Sequence, residues 1–213
     1  TELYRLQNTQ NVADLDSVEI DSIELGLEGA ANAWEYQVTA YYMDKDNEII
    51  TDSARLNLNN SHTKHRGLEI SGAYELTETL RLAGAYNFAR HTYENVEFSG
   101  SVNIKGNDVD TAPRRFGSVQ LQWQATSNVF AELEWANSGA YYSNPENLNR
   151  YEGHDLLNLR ARWQAAPDLT FSANFLNLTD EMYAERADFA FGRDRYFTGE
   201  PIRAFLSVNW RYN

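Results

Sequence analysis

The sequence contains no cysteine, four prolines and two methionines, and no apolar run near the roughly 18 residues that a membrane-spanning helix requires. The missing cysteine excludes disulfides and thiolate metal sites, and leaves both the cytosol and the cell envelope open as compartments. The missing apolar run excludes helical membrane insertion. Basic residues are also few: 18 Lys+Arg stand against 31 Asp+Glu, a net charge of -13, with a mean hydropathy of -0.60. That balance argues against nucleic acid as a partner, because such binding rests on neutralising phosphates. Residues 1–6 lack the basic start and apolar stretch of a secretory signal, so a processed N-terminus or a longer parent chain is expected. What the chain has in quantity is rings, with 5 Trp, 13 Tyr and 10 Phe among 213 residues. Aromatic burial or an aromatic interface must therefore be central to it.

A helical period is almost absent, and strict alternation recurs. Trp34, Tyr36, Val38, Ala40 and Tyr42 fall on one face of an extended segment, opposite Glu35, Gln37, Thr39, Tyr41 and Met43. Gly117, Val119, Leu121, Trp123 and Ala125 oppose Ser118, Gln120, Gln122 and Gln124 in the same way. Leu157, Leu159, Ala161 and Trp163 oppose Asn158, Arg160, Arg162 and Gln164, and Ala204, Leu206, Val208, Trp210 and Tyr212 close the series. With the runs at 23–27, 68–76, 80–88, 129–135 and 169–175, about nine long strands are expected. Short turns near residues 30–32, 77–79, 126–128 and 166–168 alternate with long polar segments at 44–64, 92–114, 138–153 and 180–200. Consecutive antiparallel strands reverse direction, so the short turns share one rim and the long segments the other.

Two readings fit an up-and-down sheet with an apolar face, a soluble sandwich or propeller and a transmembrane barrel. Propeller blades need four short strands per repeat, whereas each repeat here holds two long ones. Ring placement favours the membrane: Trp34, Tyr74, Trp123, Phe171 and Trp210 lie near the short-turn rim, and Tyr42, Phe88, Trp135 and Phe175 toward the other. The eight residues from Trp34 to Tyr42 span ~20 Å when tilted, close to the ~25 Å apolar band of an outer-membrane barrel. With Tyr36, Trp163 and Tyr212, these rings form the expected lipid-facing set. The opposite face carries Glu24, Glu28, Glu35, Glu69, Glu75, Arg81, Glu132, Glu134, Arg160 and Arg162, charges that a dry interior would penalise and a wide wet lumen accepts. The expected fold is all-β, an antiparallel up-and-down transmembrane β-barrel of which about nine long strands are present.

Four elements in order give this pattern a family. They are Tyr4-Arg5-Leu6-Gln7 with Ala13-Asp14-Leu15-Asp16 leading into Ser22-Ile23-Glu24-Leu25-Gly26; Gly67-Leu68-Glu69; Asn177-Leu178-Thr179-Asp180-Glu181-Met182-Tyr183; and Gly199-Glu200-Pro201-Ile202-Arg203. The chain resembles the C-terminal part of a TonB-dependent outer-membrane receptor of the siderophore-receptor type, over nearly its whole length. The resemblance implies a cell outer-membrane location, no enzymatic activity, no cofactor, and import of a scarce ligand such as a ferric siderophore. In that family a barrel of about 22 strands holds an N-terminal plug, and a short segment engages TonB. The plug and that segment are not in this sequence, so residues 1–213 are expected to be the C-terminal part of the barrel, with the remaining strands elsewhere. A passive porin or adhesin is the alternative, and a self-contained ten-strand barrel using residues 3–10 is a variant of it.

On this reading the long segments face outward and carry the ligand-binding candidates Tyr141, Tyr142, Arg150, Tyr151, His154, Arg186, Arg193, Arg195 and Tyr196. Guanidinium groups and aromatic faces suit an anionic, partly planar ferric chelate. The same side chains also serve well as solvated or ion-paired loop residues. Asp44-Lys45-Asp46-Asn47-Glu48 begins like a calcium loop but has Ile49 at the sixth place and Arg55 at the twelfth, and is expected to be a polar loop. His62 and His65, three apart, point to opposite faces if extended, and are expected to be loop histidines that share no metal. For catalysis, His91 and His154 are the candidate bases and Ser99, Ser101, Ser138 and Ser143 remote candidate nucleophiles. No Gly-x-Ser-x-Gly elbow supports them.

Overall fold

The computed structural model describes residues 16–51, 57–94, 97–98 and 102–212. The motif at residues 4–7, the segment 3–10, most of the 13–16 element, Arg55, Ser99 and Ser101 lie outside the described residues. Along the chain run β1 (Glu19–Ala31), β2 (Trp34–Thr51), β3 (Asn57–Glu75) and β4 (Leu80–Tyr93), then the short pair β5 (Glu97–Phe98) and β6 (Val102–Asn103). After them come β7 (Arg115–Thr126), β8 (Val129–Ser138), the pair β9 (Tyr141–Tyr142) and β10 (Arg150–Tyr151), β11 (His154–Ala166) and β12 (Leu169–Leu176). The pair β13 (Ala184–Ala190) and β14 (Arg193–Thr198) precedes β15 (Arg203–Trp210).

The nine long strands make one antiparallel sheet in the order β1-β2-β3-β4-β7-β8-β11-β12-β15, open at both edges. Each long strand pairs with its predecessor among the long ones, as an up-and-down barrel wall requires. Two-residue turns at 32–33, 127–128 and 167–168 mark the short-turn rim. At the other rim the long connections are not featureless. Those between β4 and β7, β8 and β11, and β12 and β15 each fold back as a small hairpin. The 44–64 segment differs most from expectation, because β2 runs on to Thr51 and β3 starts at Asn57. The acidic 44–48 stretch and both histidines therefore sit in strands, not in a loop. The two strands continue to pair there, with register shifts between Lys45 and Ile50, and charged side chains do not oppose such pairing when both faces are wet.

The register aligns the apolar faces. Leu82, Leu121, Leu133, Leu159 and Phe175 occupy paired positions on five successive strands. Trp163 lies across from Phe171, their rings stacked at 5.5 Å, and Phe171 lies across from Val208. These side chains point away from any interior: Trp123 and Trp163, in mid-sheet, remain 52% and 53% exposed. The buried apolar residues among those described are Ala89, Tyr93, Ile104, Tyr141, Ala184 and Ala187, all near or beyond the long-loop rim. The sheet is thus inside-out, with its apolar face turned to lipid and its polar face toward the lumen.

The apolar band ends at a row in which the Tyr86 hydroxyl donates to Asn137, whose amide donates to Asp155 Oδ1 at 2.9 Å. Tyr86 can lie flat there because its register partner is Gly117, where a Cβ would meet the ring at 2.6 Å. On β3 and β4 the boundary is the pair Arg66 and Arg90, one step outside Leu68 and Phe88. On the lumen face the charges foreseen as merely wet are cross-linked. Arg160 donates to Glu132 at 2.7 Å and to Glu134 at 2.8 Å, Gln122 and Gln120 donate to the same two carboxylates, and Arg81 joins Glu35. Arg162 lies over the Phe130 ring.

Leu121→Arg, in the middle of the lipid-facing row, should cost ~2–4 kcal/mol in refolding into bilayers, while Gln122→Arg on the lumen face should be nearly neutral. Equal costs at the two positions would refute the assignment of faces.

Candidate functional site

The long-loop rim is a packed platform. Its β4–β7 connection folds over Ile104, which is fully buried against Tyr93 with Val109 alongside. The Tyr93 hydroxyl donates to Asp110 at 2.6 Å, and burial pushes the pKa values of both groups up. Asp108 gathers Arg114, through bonds of 2.6 and 2.9 Å, and Arg90 at 3.4 Å. That bond raises the Arg114 guanidinium further and fixes the start of β7. Asn147, with φ at +58°, bonds the backbone of Asp108 from the next loop through both ends of its amide. Neighbouring loops are thereby tied to one another.

The second cluster contains most of the predicted ligand residues. Tyr141 and Tyr151 rings lie 5.3 Å apart, Tyr151 also meets His154 and Tyr196, and His154 meets Tyr183 at 4.6 Å. Their hydroxyls dock the β13–β14 hairpin: Ala187 N–H donates to Tyr141 at 2.7 Å and Ala184 N–H to Tyr151 at 3.0 Å. The Tyr151 hydroxyl also shares a hydrogen bond of 2.8 Å with His154 Nδ1. Arg195 grips Asp188 at 2.6 and 2.8 Å, Arg186 reaches the same carboxylate at 3.1 Å, and Arg150 meets Glu152 at 3.6 Å. Arg193 is exposed and follows the two-residue turn of Phe191 and Gly192, both at positive φ. Tyr196 is 56% exposed. The structure therefore brings Tyr141, Tyr151, His154 and Tyr196 together, with Arg186 and Arg195 joined at Asp188. Arg150 lies on β10 beside Tyr151, and its register partner is Tyr142.

Sequence spelling did not show what the Asn177–Tyr183 element does. Asn177 is 2% exposed at φ +52°; its amide donates to the carbonyls of Glu181 and Glu200 and accepts from Glu181 N–H. Asp180 accepts from Ile202 N–H at 2.9 Å. Together they clamp the chain leaving β12 to the chain entering β15. Gly199 is needed because a Cβ there would meet the Tyr183 ring at 2.1 Å.

His62 and His65 do lie on opposite faces, but in strand β3. His62 bonds Asp44 Oδ1 at 2.5 Å, with Asp46 nearby, on the outward side. His65 faces the lumen and meets His91, 26 residues away in sequence, at 2.7 Å. No local motif announces that pair, since only the β3–β4 register creates it. As for catalysis, His154 is engaged by Tyr151, and Ser143 Oγ donates to Asp194 at 3.3 Å. Neither makes a serine–histidine pair.

The model of the TonB dependent receptor-like β-barrel family matches residues 1–178. This chain belongs to that family. It is therefore an outer-membrane protein of a transport-receptor family rather than a member of an enzyme family. It is 25% identical over 186 residues to the metal-pseudopaline receptor CntO of Pseudomonas aeruginosa, covering 82% of this chain and 25% of that protein. Among solved structures, the ferric yersiniabactin uptake receptor FyuA of Yersinia pestis superposes at a TM-score of 0.75 with 16% identity, over 90% of this chain and 29% of that one. The ferric preacinetobactin receptor BauA of Acinetobacter baumannii gives 0.71 with 21% identity, over 90% and 29%. The chain spans about a quarter to three tenths of the length of these relatives, and the structural likeness establishes the fold.

Tyr141→Phe should leave the Ala187 N–H unpaired in a buried place, costing about 1–3 kcal/mol of hairpin docking, whereas Tyr142→Phe should change little. Hydrogen exchange across residues 184–198 measures the difference. Burial also holds the His154 imidazole below its ordinary pKa, against the opposing pull of Asp155 and Glu181. An undocked His154 near 6.5 binds protons more readily than the docked one, so docking is complete above about pH 6.5 and weakens as pH falls toward the depressed value. Limited proteolysis of the β13–β14 hairpin should accelerate between pH 7.5 and 5.5 in the wild type and not in His154→Gln.

Proposed function

We propose that this chain is the C-terminal part of the barrel of an active-transport receptor that captures a scarce ligand, a ferric siderophore in the first instance, and imports it with energy delivered through TonB. The plug, the TonB-contacting segment and the remaining strands belong, on this proposal, to the rest of a longer receptor. The observation that carries the reading is the cluster of phenol rings and guanidinium groups at the long-loop rim, set over a lumen wall of paired charges. The concave face leaves cavities of about 710 and 800 Å³ against that wall. The first is lined by Glu28, Glu35, Gln37, Arg81 and Gln120 among others, a hydrated surface along which a polar chelate passes without desolvation.

Within the rim the roles divide. Tyr141 and Tyr151 are scaffold, since their hydroxyls are spent on the hairpin backbone. Arg193 and Tyr196, both exposed on β14, are the groups presented to a ligand, with Tyr142 and Arg150 on the neighbouring hairpin. A guanidinium gives charge-assisted hydrogen bonds to the anionic oxygens of a ferric chelate, and a phenol ring offers a stacking face for its planar parts. Arg186 and Arg195 keep Asp188 neutralised and hold that surface in shape.

Uptake of radioiron as catecholate, hydroxamate and citrate complexes, by cells with and without TonB, tests the reading. One class should accumulate only when TonB is present, and Arg193→Ala or Tyr196→Ala should weaken its binding about tenfold each. Solute passage independent of TonB would replace the proposal with a diffusion pore.

A further inference from the structure

One pair of side chains on the lumen wall plays no part in docking the loops. His65 on β3 and His91 on β4 are direct register partners, with Met43 on β2 the next partner across. All three face the lumen one step beyond the Tyr42–Arg66–Arg90 row, outside the apolar band. They line an open cavity of about 290 Å³ with Tyr41, Glu24 and Glu69. The two imidazoles meet Nδ1 to Nδ1 at 2.7 Å, with ring centroids 4.8 Å apart.

The neighbours of His65 assign its proton. Lys45 holds Glu48 at 2.6 Å, and the buried Thr63 hydroxyl donates to Glu48 Oε2 at 3.0 Å. Having donated there, Thr63 Oγ1 is an acceptor toward His65 Nε2 at 2.9 Å, so the His65 proton sits on Nε2. The lone pair of His65 Nδ1 is thus aimed at His91, whose Nδ1–H occupies it. A carboxylate, a hydroxyl and an imidazole in series are the kind of outer support that orients metal-binding histidines and raises their basicity.

We propose that His65 and His91 form a binding site on the lumen wall for a divalent late first-row transition ion, copper(II) in preference to zinc. The ion takes the place of the proton between the two Nδ1 atoms. His91 gives up its Nδ1 proton and takes one on Nε2 through water, staying neutral, so that both Nδ1 lone pairs coordinate while His65 Nε2–H stays bound to Thr63. With metal–nitrogen bonds of ~2.0 Å, nitrogens at the observed 2.7 Å separation subtend ~85° at the metal. Adjacent positions on one ion are therefore within reach of both imidazoles, and nitrogen donors rank copper(II) above nickel(II) and zinc(II). Water fills the remaining positions, and Glu24 and Glu69 supply negative charge in the same cavity. The site stands independently of which chelate the receptor imports.

The test titrates copper(II), nickel(II) and zinc(II) as simple salts into the mature outer-membrane protein in detergent, using equilibrium dialysis and, for copper, electron paramagnetic resonance. Heat-modifiable gel mobility confirms that each variant is folded. One copper ion should bind with hyperfine splitting from two nitrogens. His65→Ala and His91→Ala should each weaken it at least tenfold. Thr63→Val, which keeps both ligands and removes their support, should weaken it about tenfold. Wild-type affinity equal to that of the His65→Ala/His91→Ala variant, or a spectrum without two nitrogens, would overturn the site. Zinc bound more tightly than copper would overturn its metal preference. Iron-complex uptake measured on the same variants keeps this outcome separate from the transport reading.

Discussion

Every amide of a strand within a bilayer must find a partner in protein, because hydrocarbon offers none. The antiparallel ladder meets that demand between β1 and β15, whose outer edges alone stay open, and in doing so sets everything else. Once the backbone is paired, the period of two decides which side chains meet lipid and which meet water. The apolar row through Leu82, Leu121, Leu133 and Leu159 follows from register, as does the confinement of Glu132, Glu134 and Arg160 to the lumen. A shift of one residue would exchange the two faces.

Beyond the bilayer the same strands continue under a different rule. Water is available there, so β2 and β3 extend through residues that no lipid would accept, and carboxylates, imidazoles and guanidinium groups decorate both surfaces. The rim then acquires what the barrel wall lacks, a small buried core. Ile104 against Tyr93, and Ala184 and Ala187 against Tyr141, are conventional packing on top of an inside-out sheet. The hairpin docked on that core carries Arg193 and Tyr196 on one strand. Three buried polar groups of the rim are matched in kind: Asp188 by Arg195, Asp108 by Arg114, and the Asn177 amide by three backbone groups.

The family's short sequence elements acquire physical meaning in this frame. Asn177 and Asp180 hold the exit of β12 to the entry of β15, and Gly199 admits the Tyr183 ring. They are fasteners at the point where a long outward connection leaves and re-enters the sheet. The fasteners fix the return of the chain, and the exposed side chains of the hairpins are left to vary in what they meet.

How much of this was legible before folding depends on the range of the interaction. Alternation, ring placement and loop lengths are local, and they determined the number of long strands, the two faces and the placement of rings and charges on them. They placed Tyr141, Tyr151, His154 and Arg195 correctly on the long-loop rim. They could not say that two of these tyrosines spend their hydroxyls on a backbone 33 to 46 residues away, nor that Arg195 is held by Asp188. They gave the 44–48 stretch and His62 and His65 to a loop, because charge density reads as loop wherever membrane and water are not yet distinguished. The meeting of His65 with His91 lies wholly outside the sequence pattern. Alternation says which face a residue takes; only the pairing of whole strands, set by hydrogen bonds along their full length, says which residue stands beside it.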